Sequence, residues 1–163
     1  MSVLAANRKE SKWEPITYST ELHDMLIELM QRNFGVKDLD KFVRMQYAHG
    51  KEPTENYAKY NYLMQNFKER IDQQASLLTS NVRAANSIYP RNVKEFERRR
   101  DFQNAALINC EILIKELQRV IEIFYVDINI YKRYSNAIDR EIDLIKRWRQ
   151  RDNRLKSYVE IKG

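Results

Sequence analysis

At 163 residues the chain is long enough to bury a real core in one cooperative domain and too short for two ordinary domains. Only three glycines and three prolines interrupt a sequence rich in Glu, Lys, Arg, Leu, Ile, Gln and Asn, which excludes a turn-rich β architecture and predicts long helices joined by short turns. A net charge of +6 points toward anionic partners, and the absence of any run near ~18 apolar residues excludes a membrane-spanning helix.

Residues 1–18 show no hydrophobic period and read as a flexible N-terminal segment. They carry Arg8, Lys9 and Lys12 but no apolar core of a secretion signal, so a cytoplasmic protein is expected. Ser19 or Thr20 can cap a first helix with Leu22, Met25, Leu26 and Leu29 at helical spacing, stopped at Phe34-Gly35. Asp38 then caps a short helix carrying Leu39, Phe42 and Val43, closed at His49-Gly50 before Pro53.

From Thr54 the positions Tyr57, Tyr60, Met64, Phe67, Ile71, Ala75, Leu78, Val82 and Ala85 step by three or four until Tyr89-Pro90 ends the helix. Asn92 and Glu95 form a capping box for the next helix. Its seam reads Val93, Phe96, Arg100, Gln103, Leu107, Cys110, Ile114, Leu117, Ile121 and Phe124, and a second row of Ala106, Leu113, Val120 and Ile123 suggests neighbours on two sides. A turn at Asp127–Asn129 leads into a last helix from about Ile130 to Arg151 on Tyr131, Tyr134, Ile138, Ile142, Ile145 and Trp148. Short turns between long helices force antiparallel neighbours, so the fold expected is an all-α, up-down antiparallel four-helix bundle with an extra short helix near the N-terminus. It occupies 19–151, and 152–163 reads as a basic C-terminal tail.

Charge is concentrated. The segment 83–100 carries six cations against Glu95 and Glu97, a net +4, and 146–156 carries six against Asp152, a net +5, so the remainder of the chain is net negative. On the last helix Arg133, Arg140, Arg147, Arg151 and Arg154 recur at spacings of seven, seven, four and three. On an α-helix that places them in a stripe roughly 60° wide, directed away from the apolar seam. A row of like charges gives up helix stability, and phosphate is the commonest anion to compensate it. The candidate nucleic-acid-binding set is Lys94, Arg98 and Arg99 at the start of the third helix with Arg133, Arg140, Lys146, Arg147, Arg151 and Arg154 on the fourth. Arg100 falls in a seam, so either a facing carboxylate pairs with it there or the seam opens to water or to a partner.

Tyr62, opposite its helix's seam, and Tyr158, in the basic tail, are candidates for stacking on bases, whereas Tyr57, Tyr60, Tyr131 and Tyr134 occupy core positions. The two histidines, His23 and His49, belong to no metal or catalytic motif, so no cofactor, metal site or catalytic residue is expected. The lone Cys110 suits a reducing compartment. Membrane adhesion is disfavoured because the basic helix lacks a large exposed apolar face. A structural module whose basic faces dock acidic protein surfaces stays open beside the nucleic-acid assignment.

Over Ile88–Arg154 the chain resembles the accessory variability determinant proteins of diversity-generating retroelements and the related four-helix-bundle proteins encoded in bacterial 23S rRNA intervening sequences. The likeness rests on Arg98-Arg99-Arg100 opening the third helix, on Asn104-Ala105-Ala106-Leu107 at its centre, and on Ile142 and Trp148 followed by basic residues. Before that tryptophan the family often has small residues where this chain has Lys146-Arg147, and 38–53 looks like an insertion. The resemblance implies a homopentameric barrel of four-helix protomers with a basic surface, partnering a reverse transcriptase and its template RNA in mutagenic cDNA synthesis.

Overall fold

The computed structural model describes residues 14–38, 41, 42, 44 and 53–162, with the side chains of 53–56 and 160–162 excepted. Four helices, α1 (Glu14–Gln31), α2 (Pro53–Ser87), α3 (Val93–Phe124) and α4 (Ile128–Lys162), form an all-α bundle, and the described residues contain no strand. At ~1.5 Å per residue the 35 residues of α2 and of α4 make rods roughly 52 Å long. Each helix packs against its predecessor, and α4 closes the square by returning against α1.

Cross-helix bonds fix the antiparallel register. His23 meets Asp72 at 2.7 Å, tying α1 to α2, and Lys68 of α2 donates at 2.6 Å to Asn33 in the turn that follows α1. Arg70 forks onto Glu116 at 3.1–3.2 Å, and Asn81 donates to Asn109 at 2.7 Å, tying α2 to α3. The core runs the length of the bundle through Leu26, Phe67, Ile71, Leu78, Leu113, Ile138, Ile145 and Trp148, all essentially without solvent contact.

The α2 seam is buried from Tyr60 to Ala85 as its spacing predicts, and Ser87 ends the helix ahead of Tyr89-Pro90. Tyr57 departs from the pattern and lies exposed one turn into the helix. The capping box at α3 is present: Glu95 N–H donates to Asn92 Oδ1 at 2.9 Å, and Glu95 Oε2 accepts from Arg91 N–H at 2.8 Å. Replacing Asn92 by Ala is expected to cost about 1 kcal/mol, read as a lower urea midpoint at unchanged slope.

Three elements differ from the sequence expectation. Helix α1 starts at Glu14, with Pro15 in the first turn where its missing N–H is harmless, so Ser19 and Thr20 lie inside the helix and donate back to the Ile16 carbonyl at 2.7 and 3.1 Å. Helix α4 continues to Lys162 where a basic tail was expected, because Asp152 and Val159 carry the buried face onward past Trp148. The two apolar rows of α3 are flanks of one broad face: Ala106, Leu113 and Val120 are buried inside the bundle, and Ile114, Ile121 and Ile123 pack half-buried beside them. A second subunit is therefore not needed to cover those rows. Of the short helix expected after Asp38, the cap is visible as Lys41 N–H donating to Asp38 Oδ1 at 3.1 Å, while Leu39, Val43, His49 and Gly50 lie outside the described residues, as do 1–13.

Phe34 and Tyr125 hold left-handed backbone conformations at φ 58° and 51°. Glycine is the ordinary occupant there. Phe34 is held by complete burial and by Tyr131, whose hydroxyl donates to its carbonyl at 2.6 Å. Tyr125 closes α3, its N–H donating to the Ile121 carbonyl at 3.0 Å.

Candidate nucleic-acid interface

The antiparallel packing of α3 on α4 brings the start of one beside the end of the other. The tie is Arg99, whose Nε and Nη2 fork onto the two oxygens of Asp152 at 2.8 and 3.0 Å. Its Nη1 donates to the Ile88 carbonyl at 3.0 Å, and the guanidinium lies 5.1 Å from the Trp148 ring centre. Gln103 Nε2 adds a third bond to Asp152 at 2.8 Å. The pair's side chains are only 13 % and 6 % exposed. Arg99, expected among the phosphate-facing residues, is thus an internal clamp that joins α3, α4 and the α2–α3 loop.

Arg100 exchanges roles with it. Of the two readings of that seam position, the ion pair is not the one found: Arg100 Nη2 donates to the Arg149 carbonyl and to Asn153 Oδ1, both at 2.9 Å, with its guanidinium 5.2 Å from the Phe96 ring centre. Burial, then the proximity of Arg149, lowers its pKa from the usual arginine value. Arg149 in turn donates to Asn104 at 2.9 Å. Three arginines of the two basic segments therefore lock helix to helix. The others, Arg83, Arg91, Lys94 and Arg98 on one side and Lys146, Arg147, Arg151, Arg154 and Lys156 on the other, are exposed.

This separation follows from the helical period. The positions 134, 138, 141, 145, 148, 152 and 159 of α4 are buried, and Arg133, Arg140, Arg147, Arg151 and Arg154 ride the opposite flank, all exposed. Arg133 lies 5.9 Å from the Tyr134 ring centre. Arg140 stacks 3.6 Å from the ring centre of Tyr18 on α1 and bonds to its hydroxyl. Further along, Arg147, Arg151 and Arg154 line an open cleft of about 570 Å³ whose one acidic wall residue, among the described residues, is Glu14. Among the described residues no carboxylate lies within 4.0 Å of Arg133, Arg147 or Arg154. The row spans 21 residues, roughly 32 Å of helix, over which a nucleic-acid backbone offers several phosphates. Lys94 and Arg98 stand on the first turns of α3 at the same end of the bundle, so both basic segments share one pole.

Inside the bundle the α4 seam carries a residue that sequence reasoning missed. Glu141 is 0 % exposed and, among the described residues, neither carboxylate oxygen has a hydrogen-bond partner, whereas Ile142, expected in that place, is half-buried. Desolvation pushes its pKa up to about 8, with Arg140 opposing the rise. Across from it on α3, burial and then the Glu141 charge hold the Cys110 thiol above its usual range. The seven-residue recurrence of 134, 141 and 148 was the available signal, masked by the expectation that a carboxylate is solvated.

Comparison with models of known protein families, with characterised proteins and with solved structures gave no match. No helix among the described residues is long and apolar enough to cross a membrane.

Proposed function

We propose that this chain is a non-catalytic nucleic-acid-binding accessory protein whose basic pole and arginine row hold the phosphate backbone of RNA or DNA. Its setting is the cytoplasm, in keeping with the lone Cys110; as the family resemblance implies, its protein partner is a reverse transcriptase with its template RNA, its role support of mutagenic cDNA synthesis, and its assembly a homo-oligomer, pentameric in that family. One observation carries the nucleic-acid assignment: the cations of both basic segments divide into three that lock the fold and nine that face solvent around one pole. Counterion release from a polyanion rewards such an array, and with no groove-reading element in the bundle the binding is largely indifferent to base sequence.

Charge reversal tests this. In Arg140→Glu/Arg147→Glu/Arg151→Glu three phosphate contacts, each worth about 0.7–0.9 of a power of ten at ~0.1 M salt, are removed, so affinity falls on the order of 100-fold for every sequence. Helix content by circular dichroism stays unchanged because all three side chains lie on the exposed face. Equal affinity in the variant refutes the row. Binding displaced by polyglutamate as readily as by polynucleotide at matched charge assigns the surface to acidic proteins instead.

A further inference from the structure

Ring placement at the basic pole goes beyond charge. Tyr158 lies four residues after Arg154, which returns it to the same flank of α4 as Arg133, Arg140, Arg147 and Arg151, and it is 56 % exposed. Tyr89 projects from the α2–α3 loop at 73 % exposure. Its loop is not slack: Arg99, bonded to Asp152, also holds the carbonyl of Ile88, and Pro90 beside it is buried. The Arg99–Asp152 pair sets a common level for the two rings. Six residues beyond Asp152, ~9 Å along α4, is Tyr158; an equal step back along α3 from Arg99 reaches Val93 and the loop that carries Tyr89. Val159 and Phe96, both buried, seat these two ends in the core. Arg91, Arg151 and Arg154, all exposed, stand at the same end of the bundle.

A duplex presents phosphates to such a surface but keeps its base faces stacked inside. An unpaired strand presents both, and each base laid on an exposed aromatic ring is worth ~1–3 kcal/mol with little regard to sequence. We infer that the pole formed by Tyr89, Arg91, Arg151, Arg154 and Tyr158 takes an unpaired nucleic-acid strand in preference to a duplex, with bases stacked on the two tyrosines. This rests on the nucleic-acid assignment proposed above and narrows its ligand. Tyr62, the other stacking candidate on α2, is 69 % exposed but lies near the opposite end of the bundle, about 37 Å from the Ser87 end along the helix, and serves as an internal control.

The full chain is titrated by fluorescence anisotropy against labelled oligouridylate, oligothymidylate and a mixed-sequence duplex, each of about 20 nucleotides. Both single strands bind more tightly than the duplex. Tyr89→Ala/Tyr158→Ala weakens single-strand binding about tenfold or more, Tyr89→Phe/Tyr158→Phe restores it, and neither changes the duplex. Tyr62→Ala changes nothing. Preference for one of the two single strands identifies RNA or DNA as the ligand and supports the inference in either case. The inference is overturned if the double alanine variant binds single strands as the parent does, if it weakens duplex binding equally, or if Tyr62→Ala has the same effect. If the strands and duplex bind alike and only the arginine reversal abolishes them, the nucleic-acid assignment survives without the tyrosines. If none of the three binds, both fail together.

Discussion

Asp152→Ala is expected to destabilise the bundle by roughly 3–5 kcal/mol, enough to leave a domain of this size largely unfolded near 37 °C. Three donors converge on that carboxylate: Arg99 Nε, Arg99 Nη2 and Gln103 Nε2, at 2.8–3.0 Å. Removing it strands a guanidinium that is almost wholly out of water against Trp148, with only the Ile88 carbonyl left to accept from it. The cost lies in the orphaned charge more than in the lost attraction, so replacing both partners recovers most of it. Arg99→Met/Asp152→Leu is expected to unfold at a urea concentration near the parent's, and the coupling between the two sites to exceed ~2 kcal/mol in a double-mutant cycle. Additive single-site effects would falsify the clamp.

Glu141 gives the second large effect, with a defined dependence on pH. Its carboxyl is protonated more readily in the fold, pKa about 8, than in the unfolded chain at about 4.5. Between those two values the folded state binds more protons than the unfolded one, so this group's contribution falls as pH rises from about 4.5 through 8 and is level beyond. The fall amounts to several kcal/mol if the whole shift is expressed. Glu141→Met, of similar length and apolar, removes the term: stability at about pH 8 rises by roughly 2–4 kcal/mol and its decline between about pH 5 and 8 flattens. Chemical-denaturation midpoints measured across that range decide it. A variant that keeps the parent's slope assigns the pH dependence elsewhere.

Much of the fold was legible because the periodic signal in α2 and α3 is long and clean, and because Asn92-Glu95 and Tyr89-Pro90 are local devices that work wherever they occur. What escaped was set by tertiary partners. Nothing in the spacing of Arg98-Arg99-Arg100 tells which guanidinium turns inward; that is decided by Asp152, 53 residues later, and by the bulk of Trp148. Asp152 itself looked like the first residue of a tail because it is charged, yet it continues the three-four alternation of Tyr134, Ile138, Glu141, Ile145 and Trp148. Judged by period alone, with charge ignored, α4 reads straight on to Val159. The start of α1 was equally hidden, because Pro15 reads as a loop residue although it is well placed in a first turn.

The arginine row was the part of the candidate site best read in advance, since exposure on a helix follows directly from angle. The meeting of both basic segments at one pole rests on the Arg99–Asp152, Arg100–Asn153 and Arg149–Asn104 bonds between α3 and α4. Tyr89 was overlooked because a Tyr-Pro pair signals a helix stop, and its use as punctuation obscured the ring.

The decisive measurement is the slope of log affinity against log salt for the full chain and a labelled single-stranded oligonucleotide, beside the same slope for Arg140→Glu/Arg147→Glu/Arg151→Glu. Four or more phosphate contacts from the exposed row give the parent a slope of about −3 or steeper, and the reversal flattens it by about 2. Parallel lines for the two proteins, or no detectable binding by the parent at the lowest salt, would contradict a polyanion-binding role for this helix.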